Sequence, residues 1–185
     1  MRVLAISGSL RAASHNTALL RAAAQLAPEG VEVELYDGLD RLPPFNEDHE
    51  SDLPFPEVAR LRDAIASADA VLISTPEYNG TVPGQLKHAI DWGSRPYGPD
   101  AALWSQVVAV VGASSTDYGA MWAQDHLRKA LGIAGARVVD AELPVGRAQD
   151  RFDGEGALAD LETAERLREV LDALVSHRHE LAQAA

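Results

Sequence analysis

The chain has 185 residues, of which 46% are hydrophobic and none is cysteine, and its formal net charge is −12. That size suits a single soluble domain over residues 1–185, with no apolar run near the roughly 20 residues of a membrane span. The missing cysteines exclude disulfide and thiolate chemistry and make the cytoplasm the expected address. The acidity argues against a nucleic-acid or anionic-membrane surface, and Ser7, Gly8, Ser9 and Arg11 interrupt the apolar segment that a secretory signal would need.

Strand-like and helix-like patterns alternate from end to end. Val3 to Ile6 reads as a strand, Thr17 to Leu26 as an amphipathic helix, and Val31 to Leu35 alternates at period two. Leu39 to Pro56, with Pro43, Pro44, Asn46, Pro54 and Pro56, is expected to be a surface excursion. Glu57 to Ser67 is helical. Ala70 to Ser74 is uniformly apolar, as a strand covered on both faces must be. A helix runs from near Pro83 to about Trp92, and Gln106 to Val111 is the most hydrophobic strand. Ala120 to Leu131 is helical, Arg137 to Val139 a last strand, and Leu158 to about Leu181 a closing helix. This βα alternation predicts a parallel sheet with helices on both faces and ligands beyond the C-terminal ends of the strands.

Three polar loops would then share that edge: Ser7 to Asn16, Thr75 to Gly84, and Gly112 to Gly119. The first follows a strand and opens a helix, where free amides and the positive end of the helix dipole meet. Gly8 permits a sharp turn, Ser9, Ser14 and Thr17 bring hydroxyls, Asn16 an amide, and Arg11 a guanidinium suited to oxyanions. The lysine that closes a nucleotide-triphosphatase loop and the Gly-x-Gly-x-x-Gly of dinucleotide folds are both missing. The set reads as a phosphate site. In the second loop, prolines stiffen the backbone around an exposed Tyr78, and Gly80 and Gly84 allow positive φ or close approach. The third resembles a helix N-terminus capped by Thr116 or Asp117.

The motifs Gly8-Ser9-Leu10-Arg11-x-x-Ser14-x-Asn16, Pro76-Glu77-Tyr78-Asn79-Gly80-x-x-Pro83-Gly84-x-Leu86-Lys87-x-Ala89-Ile90-Asp91-Trp92 and Gly112-Ala113-Ser114 closely resemble the NADPH-dependent FMN reductase family, which includes quinone, chromate and azo-dye reductases. Pro43 to Asp48 also looks like that family, and the resemblance spans about residues 1 to 135. It implies a flavodoxin-like three-layer α/β sandwich whose five-stranded parallel sheet has the order 2-1-3-4-5. It also implies noncovalent FMN, with NADPH or NADH as co-substrate. Carried onto this chain, Ser9, Arg11, Ser14, Asn16 and Thr17 contact the phosphate. Pro76, Glu77, Tyr78, Asn79 and Gly80 frame the ring from one side, and Ser114, Ser115 and Gly119 border its other edge. Several relatives have Pro or Gly after the serine where this chain has Ser115-Thr116-Asp117-Tyr118.

The implied activity is a ping-pong transfer of a hydride from NAD(P)H through flavin to a quinone or similar oxidant (flavin, chromate or an azo compound), with no dedicated catalytic side chain. An electron-carrying flavodoxin or a non-enzymatic FMN-binding module are the alternatives, and Arg11 speaks against the first. A homodimer or homotetramer is expected, with Gly93 to Pro99 and nearby aromatics as the candidate interface. No metal site is expected, because His177 and His179 point to different faces of a helix. His15 is expected to face solvent, and Lys87 and Asp91 to form a surface ion pair. Trp92, Trp104, Trp122 and Tyr97 are expected to pack the core or a subunit interface, with buried packing as the default. Thr116 stands where a serine-hydrolase elbow would need glycine.

Overall fold

The computed structural model describes residues 1–50 and 55–184; the turn expected at Pro54 lies outside them. In chain order the elements are β1 (Arg2–Ser7), α1 (His15–Leu26), β2 (Glu32–Leu35), α2 (Pro56–Ser67), β3 (Ala70–Thr75), α3 (Gly84–Gly93), β4 (Val107–Ala113), α4 (Met121–Ile133), β5 (Arg137–Val145) and α5 (Leu161–Ala184), with short 3₁₀ turns in the connections. All strand pairs are parallel and the sheet order is β2-β1-β3-β4-β5. This is the flavodoxin-like order implied by the motifs. The order places β1 and β3 side by side in the middle of the sheet, so the loops leaving β1, β3 and β4 emerge next to one another.

Alternation along each central strand divides the core in two. Val3 and Ala5 of β1, Leu72 of β3 and Val107, Ala109 and Val111 of β4 pack against α1 and α5 through Leu19, Leu20, Leu167 and Leu171. Leu4, Ile6, Val71, Ile73, Val108 and Val110 face the other way, onto Val58, Leu61, Leu86, Trp92 and Leu127 of α2, α3 and α4. Burial on both faces explains why β3 and β4 read as unbroken apolar runs. No helix among the described residues is long and apolar enough to cross a membrane.

Several boundaries differ from the sequence reading. The last strand continues to Val145, six residues beyond the expected end at Val139. Asp140, Glu142 and Pro144 look like breakers, but β5 lies at the sheet edge, where charged side chains and a proline are tolerated. α1 starts two residues early because Ser14 caps it. α5 starts at Leu161 because the Asp160 carboxylate receives the Thr163 amide at 2.9 Å and its hydroxyl at 2.6 Å. Trp92 is fully buried as expected, whereas Trp104 (40% exposed), Trp122 (44%) and Tyr97 (70%) are not. The expected Lys87–Asp91 pair forms, with 2.6 Å between charges.

Candidate functional site

The first loop leaves β1 through Gly8, whose amide donates to the Ser74 carbonyl of β3 at 2.8 Å. A Cβ there would lie 2.7 Å from Leu86 Cδ2 and 3.3 Å from the Ser74 carbonyl oxygen, so any larger residue would have to push the buried Leu86 side chain aside. The Ser14 hydroxyl then accepts from the Thr17 amide at 3.2 Å, and the Ala18 amide returns to the Ser14 carbonyl at 2.9 Å. The first-turn amides of His15 and Asn16 are left without an intrahelical acceptor. Arg11 is exposed, and no carboxylate among the described residues lies within ion-pair distance of it. Thr17 Oγ1 pairs with Ser7 Oγ at 2.8 Å, tying the helix back to the strand.

Asn16 has a task that the sequence reading did not foresee. Its side chain is buried, with Oδ1 accepting from Ser74 Oγ at 2.8 Å and from the Ala113 amide at 3.0 Å, while Nδ2 donates to the Ala113 carbonyl at 2.9 Å. One amide thus ties the first loop to β3 and β4, and what Asn16 has left to offer a ligand is its backbone N–H. A tight turn and a phosphate contact both call for an asparagine, and no local pattern separates them.

The second loop turns at Asn79 (φ 53°) and Gly80 (φ 75°), with reciprocal amide–carbonyl bonds of 3.1 and 3.2 Å between Tyr78 and Thr81. Two successive residues at positive φ are the signature of an Asn-Gly hairpin turn. Gly84 has neither of the properties expected of it: its φ is ordinary and a Cβ would meet nothing within 4 Å. It simply opens α3 after Pro83. Glu77 Oε2 accepts from the Ala123 amide at 3.1 Å. This carboxylate caps α4, whose own N-cap, Ala120, has no side-chain acceptor to offer.

The third loop is braced against the chain that follows β5. The Ser114 amide donates to the Val145 carbonyl at 3.0 Å, the Ala148 amide to the Ser114 carbonyl at 2.9 Å, and the Arg147 amide to the Thr116 carbonyl at 2.9 Å. Asp117 pairs with Arg147, whose hydrogen bond and charge hold the carboxyl below its ordinary range. Gly119 sits at φ 58°, where a Cβ would lie 2.5 Å from backbone atoms of Pro144 and Val145. Where the third loop runs into α4, Tyr118 and Trp122 lie 4.8 Å apart and are both exposed, next to an exposed Met121.

The three loops meet. A crevice of about 100 Å³ is lined by Ser9, Arg11 and Asn16 from the first, Pro76, Glu77 and Tyr78 from the second, and Ser114 and Ser115 from the third. Ser14 opens onto a neighbouring cavity, and Thr17 onto a polar hollow beside the end of β2. Asn79, Gly80 and Gly119 do not line the crevice: the first two form the hairpin tip, and the glycine packs against β5. His15 is half-buried in the crevice wall and stacks on Phe152 at 5.8 Å, so it is not the solvent-facing residue expected. The sequence reading missed Ser74, Ala113 and Gln124. Gln124 Nε2 donates to the Gly119 carbonyl at 2.9 Å from a buried position. Inside a strand or helix pattern, none of the three carries a signal of its own.

The family model for NADPH-dependent FMN reductase matches residues 1–150. The chain belongs to that family. It is 42% identical over 176 residues to an NAD(P)H-dependent FMN reductase of Pseudomonas aeruginosa, covering 94% of this chain and 93% of the relative. It is 36% identical to a 2-hydroxy-1,4-benzoquinone reductase of a Burkholderia species, with 93% of each covered. Among solved structures, FerB, a flavoenzyme NAD(P)H:(acceptor) oxidoreductase from Paracoccus denitrificans, superposes with a TM-score of 0.84 at 35% identity over 97% of both chains. Membership makes this chain an NAD(P)H-dependent flavoprotein oxidoreductase with FMN as its cofactor.

The residues present fit that cofactor. The first loop offers the two free amides of α1, the hydroxyls of Ser9 and Ser14, and the unpaired Arg11, a donor set matched to a phosphate dianion. The one carboxylate lining the crevice, Glu77, is turned toward the α4 amide. Tyr78, Pro76 and the Ala113–Ser115 backbone present flat, mostly uncharged walls to a planar ring.

Proposed function

We propose that the protein reduces quinones and similar small oxidants with NAD(P)H through FMN held in the three-loop crevice, by a ping-pong cycle. The observation that carries this reading is the convergence of Arg11, the free α1 amides and the Tyr78 and Ser114–Ser115 walls on one crevice at the C-terminal edge of the sheet. Bound FMN supplies the redox chemistry, accepting a hydride from the nicotinamide and passing two electrons and protons on to the oxidant. The protein's residues bind and orient. Ser9, Arg11, Ser14 and the His15 and Asn16 amides hold the phosphate, and Thr17 supports them through Ser7. Pro76, Glu77, Tyr78, Asn79 and Gly80 shape one side of the ring pocket, and Ser114 and Ser115 the other, with Gly119 fixing the third loop against β5. The exposed Tyr118 and Trp122, where the third loop runs into α4, give an incoming quinone an aromatic face to stack on.

The same reading takes the protein as cytoplasmic and as a homodimer or homotetramer. The exposed Tyr97, in the 93–99 segment, and Ile133 flank one shallow cavity beside α3 and α4 and offer an apolar contact for a second copy. Light scattering at micromolar concentration reports two or four chains; a monomer removes this part of the reading. The deciding experiment follows the flavin absorbance of the purified yellow protein. NADPH or NADH bleaches it rapidly and a quinone restores it, with parallel double-reciprocal plots at varied quinone. A chromophore that neither nucleotide reduces leaves a flavodoxin or a passive flavin binder instead.

A further inference from the structure

We propose that the cavity between α1 and the 149–156 segment receives the adenosine end of the nicotinamide dinucleotide, and that Arg21 selects NADPH by its 2′-phosphate. This rests on the crevice being the FMN site. The cavity is about 370 Å³, larger than the crevice itself and within the size range of small-ligand pockets. Its lining includes Ala12, Ala13, His15, Arg21, Phe152 and Glu155. His15 also lines the crevice, so the two spaces share a wall.

The chemistry of the lining suits a nucleoside phosphate. His15 and Phe152 lie nearly parallel, 23° apart at 5.8 Å, a flat edge on which a purine stacks. Small side chains at Ala12, Ala13 and Ala18 leave the floor clear. Arg21 is exposed, and no carboxylate among the described residues lies within ion-pair distance of it. The nearby Asp153 is turned into its own turn, accepting from the Glu155 and Ala157 amides at 2.9 and 2.8 Å, which lowers its competition for the guanidinium. Glu155 remains as an acceptor for the exocyclic amine of adenine. The segment is held in place by the Phe152–Leu158 bridge. A guanidinium recognises a phosphate monoester by paired hydrogen bonds, which the bare ribose hydroxyl of NADH cannot reproduce.

The test combines kinetics with direct binding to the FMN-loaded protein. Arg21→Ala raises the KM for NADPH about ten- to a hundredfold, leaves that for NADH within about twofold, and preserves kcat at saturation. By calorimetry, adenosine 2′,5′-bisphosphate binds the wild type more tightly than 5′-AMP, and Arg21→Ala abolishes the difference. Arg21→Lys recovers part of it. Equal effects on both nucleotides, an unchanged NADPH KM, or equal affinity for the two adenosine phosphates would overturn the proposal. If the wild type oxidises neither nucleotide yet binds the bisphosphate through Arg21, the cavity assignment stands and the reductase reading falls.

Discussion

Replacing Asn16 by alanine removes three buried hydrogen bonds at once, to Ser74 Oγ and to both the amide and carbonyl of Ala113. The Ser74 hydroxyl can rotate to a new partner, but the two Ala113 backbone groups cannot, and Ala113 is only 3% exposed. At about 1.5 kcal/mol for each buried group left unpaired, the variant loses about 3 kcal/mol of stability. For a chain of this length that lowers Tm by roughly 6–12 °C. FMN affinity falls too, because the loop that presents the His15 and Asn16 amides is no longer tied to β3 and β4, and high flavin concentration restores part of the lost Tm by mass action. The assay is differential scanning fluorimetry of apoprotein, followed by flavin titration. A variant whose apoprotein melts within about 2 °C of wild type but no longer binds FMN would refute this reasoning and return the side chain to the phosphate.

Arg11→Ala is the converse case: its apoprotein Tm stays unchanged while FMN dissociation rises about ten- to a hundredfold, the worth of one charge-assisted bond. Riboflavin binding scarcely moves; equal losses for both flavins in a fluorescence titration would exclude Arg11 as the phosphate partner. Gly80→Val strains a residue at φ 75° and weakens flavin binding, whereas Gly84→Ala is neutral or slightly stabilising because the site has open space and a helical conformation. Parallel titrations of the two variants check the contrast. Asp160→Ala removes the α5 cap for a loss of about 1 kcal/mol, or roughly 2–4 °C in Tm, at neutral pH. Bonds from Thr163, and then Arg151, hold the Asp160 carboxyl below its ordinary range, so its contribution is complete above about pH 4 and fades as pH falls through the lower folded value. The wild type and variant Tm curves should converge there in acid; a gap that persists would assign the loss to packing.

The fold was legible because apolar content and periodicity act through burial, which a parallel sheet imposes on every central strand. Val107 to Val111 could be nothing else. What escaped was set by position in the sheet. Asp140, Glu142 and Pro144 read as the end of a strand because the sequence does not reveal that β5 lies at the edge. In the site, residue types were legible and their partners were not. Ser14 caps its helix and Arg11 stands free as their types allow, but Asn16 spends its whole side chain on Ser74 and Ala113, contacts 58 and 97 residues away. Trp122 and Tyr97 illustrate the same gap: an aromatic signals packing, on a helix or in a loop, and only the assembled surface tells whether this chain or another molecule does the packing.

The division of labour in the three loops also bears on how an acidic protein holds an acidic ligand. With a net charge of −12, the long-range field repels a phosphate dianion, and attraction must come from groups within a few ångströms. Several carboxylates around the loops are engaged elsewhere: Glu77 on the Ala123 amide, Asp117 on Arg147, Asp153 on its own turn, and Asp37 and Asp40, beside Ser9 and Thr17, on Arg41. The first-loop donors other than Arg11 are uncharged amides and hydroxyls, held in place by the bonds of Ser14, Thr17 and Asn16, and their strength survives salt better than a surface charge. Raising ionic strength screens the unfavourable net charge more than these short contacts, so the wild-type flavin complex should tolerate added salt. The dependence on Arg11 should shrink as salt rises, because that interaction is the exposed one.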